Sequence, residues 1–528
     1  MRSKTFRIGG VHPEENKLSN DSVTKQAPLP KVAVYPLSQH IGAPAKAIVK
    51  EGDKVKVGTM IAEAGGFVSA NIFSSISGTV IKVGDALDVS GAMKPCVVVQ
   101  REGEGNVWEE SIDRSEKLER LESHPELTPE EIINRIKYAG VVGMGGACFP
   151  THVKLMPPPG AKADCVIING VECEPYITSD YRLMMEKPDQ LLEGLKILMA
   201  AAKVDKGYIG IEDNKPEAIK ELSEKLLRLG ISNIEVVPLQ KKYPQGGEKQ
   251  LIDAVIGRQV PAPPAIPINV GAIVQNAGTA VAVYEAVMKR KPLFERYTTV
   301  TGKQLSNPSN YLVRMGTSFG ELINLCGGMP EGDNKVLAGG PMMGRAVPSI
   351  DVPVGKGQNS ITILSGDEAK RKAPQPCIRC AKCVSACPMG LEPFLLAKGS
   401  AMEKWDMLEQ EDITSCIECG SCQFTCPAHR PLLDDIRKGK GTVSGIIRSR
   451  TAPAPAPAAK PAPAAKAEAS ATKNDAPAAK AANAKPMSTA PKPFVAPANI
   501  DFSGPKQNPV PTIKKGPKPA VMPTNWPK

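Results

Sequence analysis

Gly140-Val-Val-Gly143-Met-Gly145-Gly146-Ala-Cys148-Phe149-Pro150-Thr151-His152-Val153-Lys154 puts four glycines within seven residues. Such a run leaves backbone N–H groups free to approach a phosphate or a flat ring closely. It is not the dinucleotide fingerprint, because GxGxxG is incomplete at Cys148 and the loop follows a helix rather than a strand. That helix is signalled by Thr128-Pro129-Glu130-Glu131, an N-cap with Pro at N1 and a capping-box Glu, ahead of Ile132, Ile133 and Ile136 at helical spacing. Downstream, residues 164–171, 206–211 and 233–238 read as short buried strands, separated by amphipathic helices such as 216–229. The alternation predicts an α/β layout with a parallel sheet. A lone Gly-rich loop is more often structural than functional, so its company decides its meaning.

The company is a pair of cysteine runs. Cys377-Ile-Arg-Cys380-Ala-Lys-Cys383-Val-Ser-Ala-Cys387-Pro388 is repeated as Cys416-Ile-Glu-Cys419-Gly-Ser-Cys422-Gln-Phe-Thr-Cys426-Pro427. Thirteen Cys is an odd number, and eight of them fall in these runs rather than in a dispersed disulfide framework. That pattern argues for metal in a reducing compartment. Three thiolates at i, i+3 and i+6 on a turning loop can converge on three corners of a cubane. Zinc is the rival, since CxxC pairs also bind it tetrahedrally. A third Cys at the same spacing and a trailing Cys-Pro, both present twice, favour iron–sulfur. In two-cluster bacterial ferredoxins, which these runs resemble, the fourth Cys of each run ligates the other cluster. That resemblance implies one cluster on Cys377, Cys380, Cys383 and Cys426, and a second on Cys416, Cys419, Cys422 and Cys387. Residues 391–410 read as the helix between them.

Composition removes other classes. The 528 residues suit roughly three domains beside a disordered tail. Net charge is +11, but residues 451–528 hold eleven Lys, no Arg and three acids, so the tail carries +8 of it. With aromatics at 4% and no basic folded face, nucleic-acid binding is not expected. The tail also has 17 Pro and 21 Ala and too little apolar bulk to offset its ordering entropy, so it reads as an extended tether. No run of 18 apolar residues predicts a membrane span. The start has positive charge without an apolar h-region, so no secretory signal is expected and the cytoplasm is the expected compartment. There is no Walker A motif.

The flavin-type loop resembles that of the flavin-bearing subunit of bacterial complex I, GRGGAGFPTGLKW. That subunit's NADEGEP element is echoed by Asn169-Gly-Val-Glu172-Cys173-Glu174-Pro175. Its GEETALLNSLEGR element is echoed by Gly247-Glu248-Lys-Gln-Leu251-Ile-Asp-Ala-Val-Ile-Gly257-Arg258, and its VNNVET by Val274-Gln275-Asn276-Ala-Gly278-Thr279. Met144, Cys148, Leu155 and Val171 depart from the pattern. Gly9-Gly10-Val11-His12-Pro13, Gln39-His40-Ile-Gly42-Ala-Pro44 and Leu337-Ala-Gly339-Gly340-Pro341-Met342-Met343-Gly344 extend the likeness. Over residues 1 to about 440 the chain resembles the RnfC family, peripheral subunits of the Rnf (Rsx) ion-translocating ferredoxin:NAD oxidoreductase complexes.

The resemblance implies two [4Fe-4S] clusters, non-covalent FMN and an NAD(H) site, with FMN and nucleotide held by Gly143, Gly145, Gly146, Phe149, Thr151, Lys154, Asn169, Gly247, Glu248 and Asn276. Glu172 and Glu174 are the candidate acids at the nicotinamide end. It implies the other Rnf membrane subunits as partners, a ferredoxin-type carrier indirectly, and a peripheral place on the cytoplasmic side of the bacterial inner membrane. The domains drawn are a barrel-sandwich β domain (1–110), the α/β FMN/NADH domain (111–300), a small β-grasp domain (301–365), a ferredoxin-like domain (366–440) and the tail (441–528). The first resembles lipoyl and biotinyl carriers but has no Lys between Glu63 and Ile76, so its role is structural. Ser90-Gly91-Ala92-Met93 lacks the Thr that accepts covalent FMN in related membrane subunits. His12, His40 and His152 read as hydrogen-bonded structural groups, and Cys96, Cys165, Cys173 and Cys326 as small buried hydrophobes. A soluble NADH diaphorase subunit of a hydrogenase-like enzyme and a flavin-less ferredoxin-type scaffold are the alternatives.

Overall fold

The structure, a computed structural model, describes residues 3 to 451. Its centre is a four-stranded, wholly parallel sheet in the order Ile234–Leu239, Lys206–Glu212, Cys165–Asn169, Ala272–Asn276. Both faces are covered. Val166, Ile168, Ile209 and Ile273 pack one core, while Cys165, Ile167, Val237 and Val274 pack the other. This explains why these strands read as continuous apolar runs rather than as alternations. The first strand lies between the second and the fourth, so the strand order reverses between Cys165–Asn169 and Ala272–Asn276. Open α/β sheets leave their ligand crevice at such a reversal, at the carboxyl ends of the strands. Asn169 and Asn276 face each other there in register.

The helix before the Gly-rich loop is Pro129–Tyr138, with the Thr128 side chain accepting from the Glu131 amide at 3.2 Å. Glu131 turns away to Arg135 at 2.8 Å, so only half of the expected capping box forms.

Two antiparallel sheets make the barrel-sandwich, of which Val32–Pro36, Gly78–Leu87 and Met93–Arg101 are the principal strands. Its core is Tyr35, Ile61, Ile72, Val97 and Val99. The N-terminal segment packs beyond the barrel. Residues 3–26 leave the barrel and run as a strap over the other domains: Lys4 pairs with Leu239, Val11 with Tyr243, and Lys25–Gln26 joins the β-grasp sheet beside Ser309–Arg314. That six-stranded sheet also includes Glu295–Thr301, so the β-grasp unit begins before residue 301.

Two helices, Pro393–Ala401 and Trp405–Gln410, replace the single one expected at 391–410. They fold against each other at Gly399, where a Cβ would stand 2.3 Å from Met407. The last helix, Leu432–Thr451, runs past the boundary drawn at 441 because Val443 is fully buried and continues its apolar face. The tail expected beyond residue 451 lies outside the described residues. Among the described residues no helix is long and apolar enough to cross a membrane.

Candidate functional site

The Gly-rich loop closes on itself before it can hold anything else. The Gly143 N–H donates to the Phe149 carbonyl at 2.9 Å, the Cys148 N–H to the Gly143 carbonyl at 3.1 Å, and Val142 bridges Pro150. The loop is then pinned over the start of helix Ala277–Met288, since the Met144 N–H donates to Thr279 Oγ1 at 2.9 Å. Gly146 has φ +112, and a Cβ built there meets nothing within 4 Å. Gly145 would meet only Asn276, at 3.4 Å. The loop therefore presents bare backbone to open space, and Gly146 is there because L side chains rarely adopt its φ. Thr151 Oγ1 is buried beside it with no partner. Open backbone and an orphaned hydroxyl fit the phosphate and ring edge of a flavin nucleotide.

The structure brings most of the loop's predicted companions to it. Lys154 Nζ donates to Glu248 Oε1 at 2.6 Å and to the Val274 carbonyl at 3.0 Å. Asn169 Nδ2 donates to the Gly246 carbonyl at 2.8 Å, next to Gly247 at the start of helix Glu248–Ile256. Asn276 Oδ1 accepts from the amides of Gly278 and Thr279, while its Nδ2 donates to Asp180 Oδ2 at 2.6 Å.

The two acids named together part company. Glu172 accepts from the amides of Asp180 at 2.6 Å and Tyr181 at 3.2 Å, so it reaches the loop cluster through Asp180 and Asn276. Both Glu174 oxygens face the β-grasp domain, accepting from Met342 at 3.2 Å and Met343 at 2.7 Å. Burial raises the Glu174 pKa to about 7 against the pull of those amides.

Sequence reading missed Asp180, whose pKa burial and then Glu172 push up. It also missed Arg296, a buried side chain that donates to the carbonyls of Met144 at 3.1 Å and of Lys356. Burial lowers the Arg296 pKa to about 10. Lys356 Nζ donates to the Gly140 carbonyl at 2.7 Å and to the Asn71 carbonyl at 2.6 Å, and burial lowers its pKa to about 7. No motif marks these three, and each stands among charged or polar neighbours in sequence, such as Ser179 and Arg182, Glu295, and Gln358 and Asn359, so no local signal singles it out.

The three histidines take the structural roles expected of them. The rings of His12 and His152 meet the carbonyls of Lys241 and Phe67, and His40 Nε2 accepts from Ala70 at 3.2 Å. Cys96, Cys165 and Cys326 are buried. Cys173 is not a mere filler: it accepts from the Gly246 amide at 3.3 Å and packs in one cluster with Tyr243 and Cys419.

The cysteine runs divide by environment. Cys387, Cys416, Cys419 and Cys422 line one cavity with Leu396, Leu433 and Ile436. Burial first, then its three companions, pushes the Cys422 thiol up, and burial raises that of Cys416 to about 11. Thiols so crowded in apolar surroundings ionise only with a compensating cation, which fits a cluster. Cys426 instead adds to the field at Cys383. Cys377 and Cys380 are exposed. Among the described residues no three His, Cys, Asp or Glu converge on a single metal ion.

The cavity with Cys387 is roofed by other domains. Gly9 of the strap has φ +69, and a Cβ there would stand 2.4 Å from the Cys387 carbonyl. Gly10 donates to Ala386 at 2.9 Å, Tyr243 Oη to the Cys419 carbonyl at 2.7 Å, and Gln250 Nε2 to the Pro388 carbonyl at 3.3 Å. Tyr243→Phe is expected to lower stability by about 1 kcal/mol through this lost buried bond, read as the urea midpoint of the holoprotein. An unchanged midpoint would show that the tyrosine hydroxyl does not fasten the two domains.

Comparison with known proteins agrees with this geometry. Residues 4–104 match the RnfC barrel sandwich hybrid domain, 136–285 the Nuo51 FMN-binding domain, 297–346 the SLBB domain and 369–427 the 4Fe-4S dicluster domain. The chain is 43% identical over 395 residues to a subunit of the proton-translocating ferredoxin:NAD(+) oxidoreductase complex of Clostridium ljungdahlii, covering 75% of this chain and 84% of that protein. It is 42% identical over 445 residues to a subunit of the Na(+)-translocating ferredoxin:NAD(+) oxidoreductase complex of Acetobacterium woodii, covering 83% and 97%. A solved NAD+-reducing [NiFe]-hydrogenase aligns at 19% identity with a TM-score of 0.43 over 60% of this chain and 63% of that one, too distant to bear on function. With an open Gly-rich loop at the reversal of the sheet, paired cysteine runs and this degree of identity, the chain belongs to the RnfC family, the electron-transferring subunits of ion-translocating ferredoxin:NAD oxidoreductase complexes, which work with FMN, [4Fe-4S] clusters and NAD(H).

Proposed function

We propose that electrons enter or leave this subunit at the 143–154 loop, pass first through the cluster held by Cys387, Cys416, Cys419 and Cys422, and then through the one held by Cys377, Cys380, Cys383 and Cys426. FMN supplies the conversion between the hydride chemistry of a nicotinamide and one-electron transfer. The protein's part is placement. Loop amides, Thr151 and Lys154 hold the flavin nucleotide, with Asn169, Gly247 and Asn276 closing the crevice. Glu172 stands at its edge through Asp180, and Glu174 fixes the β-grasp domain against the same segment.

One observation carries the order of the clusters: the Cys387 set lies beneath Tyr243 and Gln250 of the flavin domain, whereas Cys377 and Cys380 are exposed. The exposed pair, flanked by the exposed Arg379 and Lys382, is the outlet toward another subunit of the complex. In this reading the chain docks on the cytoplasmic face of the membrane through its partners. The test is EPR of anaerobically purified protein reduced by NADH. Cys377→Ser should leave the inner cluster reducible, while Cys387→Ser should leave the outer one oxidised. The reverse result would invert the order, and protein lacking flavin would return the scaffold reading.

A smaller effect is expected at the acids. Glu172→Gln should slow NADH:ferricyanide turnover about tenfold, because a charge-assisted bond to the Asp180 amide becomes a neutral one. Glu174→Gln should leave turnover near that of the unaltered protein. Equal loss in both variants would place Glu174 at the nicotinamide as well.

A further inference from the structure

The segment after strand Cys165–Asn169 holds its shape against strain. Glu172 has φ +49 and Tyr176 φ +72, both in the left-handed region and neither a glycine. Such residues persist only where their surroundings over-determine them. Part of the surroundings here comes from the strap at the other end of the sequence. The Tyr176 N–H donates to the Glu15 carbonyl at 2.8 Å, and Ser19 Oγ meets Thr178 Oγ1 at 2.7 Å.

Between those two contacts stands Lys17. Its Nζ donates to the carbonyls of Glu172 at 2.9 Å, Glu174 at 2.9 Å and Ile177 at 2.6 Å. Three carbonyl dipoles aimed at one point repel each other unless a cation occupies it. Three acceptors also use all three protons of an ammonium. Burial and Lys215 pull the Lys17 pKa down, and Glu172 and Glu212 oppose them.

We propose that Lys17 is a positioning residue for nucleotide binding: its ammonium is the built-in cation of a three-carbonyl cradle that sets where Glu172 stands beside the 143–154 loop. The inference rests on the reading above that this loop and Glu172 border the nucleotide site. It makes a strap residue, more than a hundred positions away in sequence and touching neither flavin nor nicotinamide, a determinant of NADH affinity.

The experiment uses the full-length, anaerobically purified holoprotein. Lys17→Ala removes three carbons and the nitrogen, the outline of n-propylammonium. NADH affinity is measured by titration of the flavin signal, alongside bound FMN and iron per chain. Lys17→Ala is expected to weaken NADH binding about tenfold, as loss of a part-buried, charged hydrogen-bonding group does, with iron content unchanged. Propylammonium should restore most of the affinity. Tetramethylammonium, with the same charge and no N–H, should not.

Unchanged NADH affinity in Lys17→Ala would overturn the proposal, as would equal rescue by the two cations. Should Lys17→Ala fail to accumulate, Lys17→Met keeps the apolar stem, and unchanged affinity there has the same force. If the unaltered protein, loaded with flavin, does not bind NADH, the failure belongs to the underlying reading of the site instead.

Discussion

Cys387→Ser is expected to remove one cluster and spare the other, taking iron from about eight to about four atoms per chain. Cys387 lies in the first run by sequence, yet the cavity it lines is shared with Cys416, Cys419 and Cys422 of the second. Its loss leaves that cluster three thiolates in an apolar chamber, and a neutral hydroxyl is a poor substitute for the fourth. With dithionite in place of NADH, which reduces the outer cluster directly, the surviving EPR signal should be that of the cluster on Cys377, Cys380, Cys383 and Cys426. Because the altered cavity is roofed by Gly9, Tyr243 and Gln250, the variant should also lose thermal stability at the junction of strap, flavin domain and cluster domain. NADH:ferricyanide activity should survive, since ferricyanide can take electrons directly from flavin. Loss of the outer signal with retention of the inner one would refute the crossed ligand pattern.

Gly146→Val is expected to empty the flavin site while leaving iron near its normal content. Two effects act together. At φ +112 a β-branched residue suffers backbone strain of order 1–3 kcal/mol, and its side chain would fill the open space above the loop that the ligand needs. Gly145→Val is the gentler control, because its Cβ meets only Asn276 at ordinary contact distance and its φ is not left-handed. The measurement is flavin released on denaturation, per mole of chain. Full flavin in the Gly146 variant would reduce the loop to a structural turn. Full iron with no flavin would show that the two cofactor sites are held by separate parts of the fold, although the two domains meet at Tyr243.

Local signals were legible wherever a short segment carries its own physical reason. The Thr128 cap, the apolar strand at Cys165–Asn169 and the cysteine spacing were all read at close to their observed places, because each depends on residues within a few positions of one another. The parallel sheet followed from the alternation of elements. The helix expected at 391–410 is two helices instead: the chain turns at Glu403, whose φ of +54 is left-handed, and the absence of a side chain at Gly399 lets Met407 pack against the first.

Where the N-terminal segment packs was not legible either. Residues 3–26 adjoin the barrel in sequence but satisfy their backbone on the edges of other domains, at Leu239, Tyr243 and Tyr311. The candidate site shows the same division. By itself the sequence determined the chemistry: bare backbone at 143–146, eight thiols in two runs, and the acids of the 172–174 segment. Only the tertiary structure decided which acid turns toward the loop and which toward the β-grasp domain, that Cys387 shares a cavity with three cysteines of the second run, and that Arg296 and Lys356 reach the 140–146 backbone while Lys17 reaches that of Glu172 and Glu174. Those choices depend on hydrogen bonds between residues far apart in sequence, such as Lys356 with Gly140 and Tyr243 with Cys419, and no spacing rule encodes a bond that exists only once separate domains have packed together.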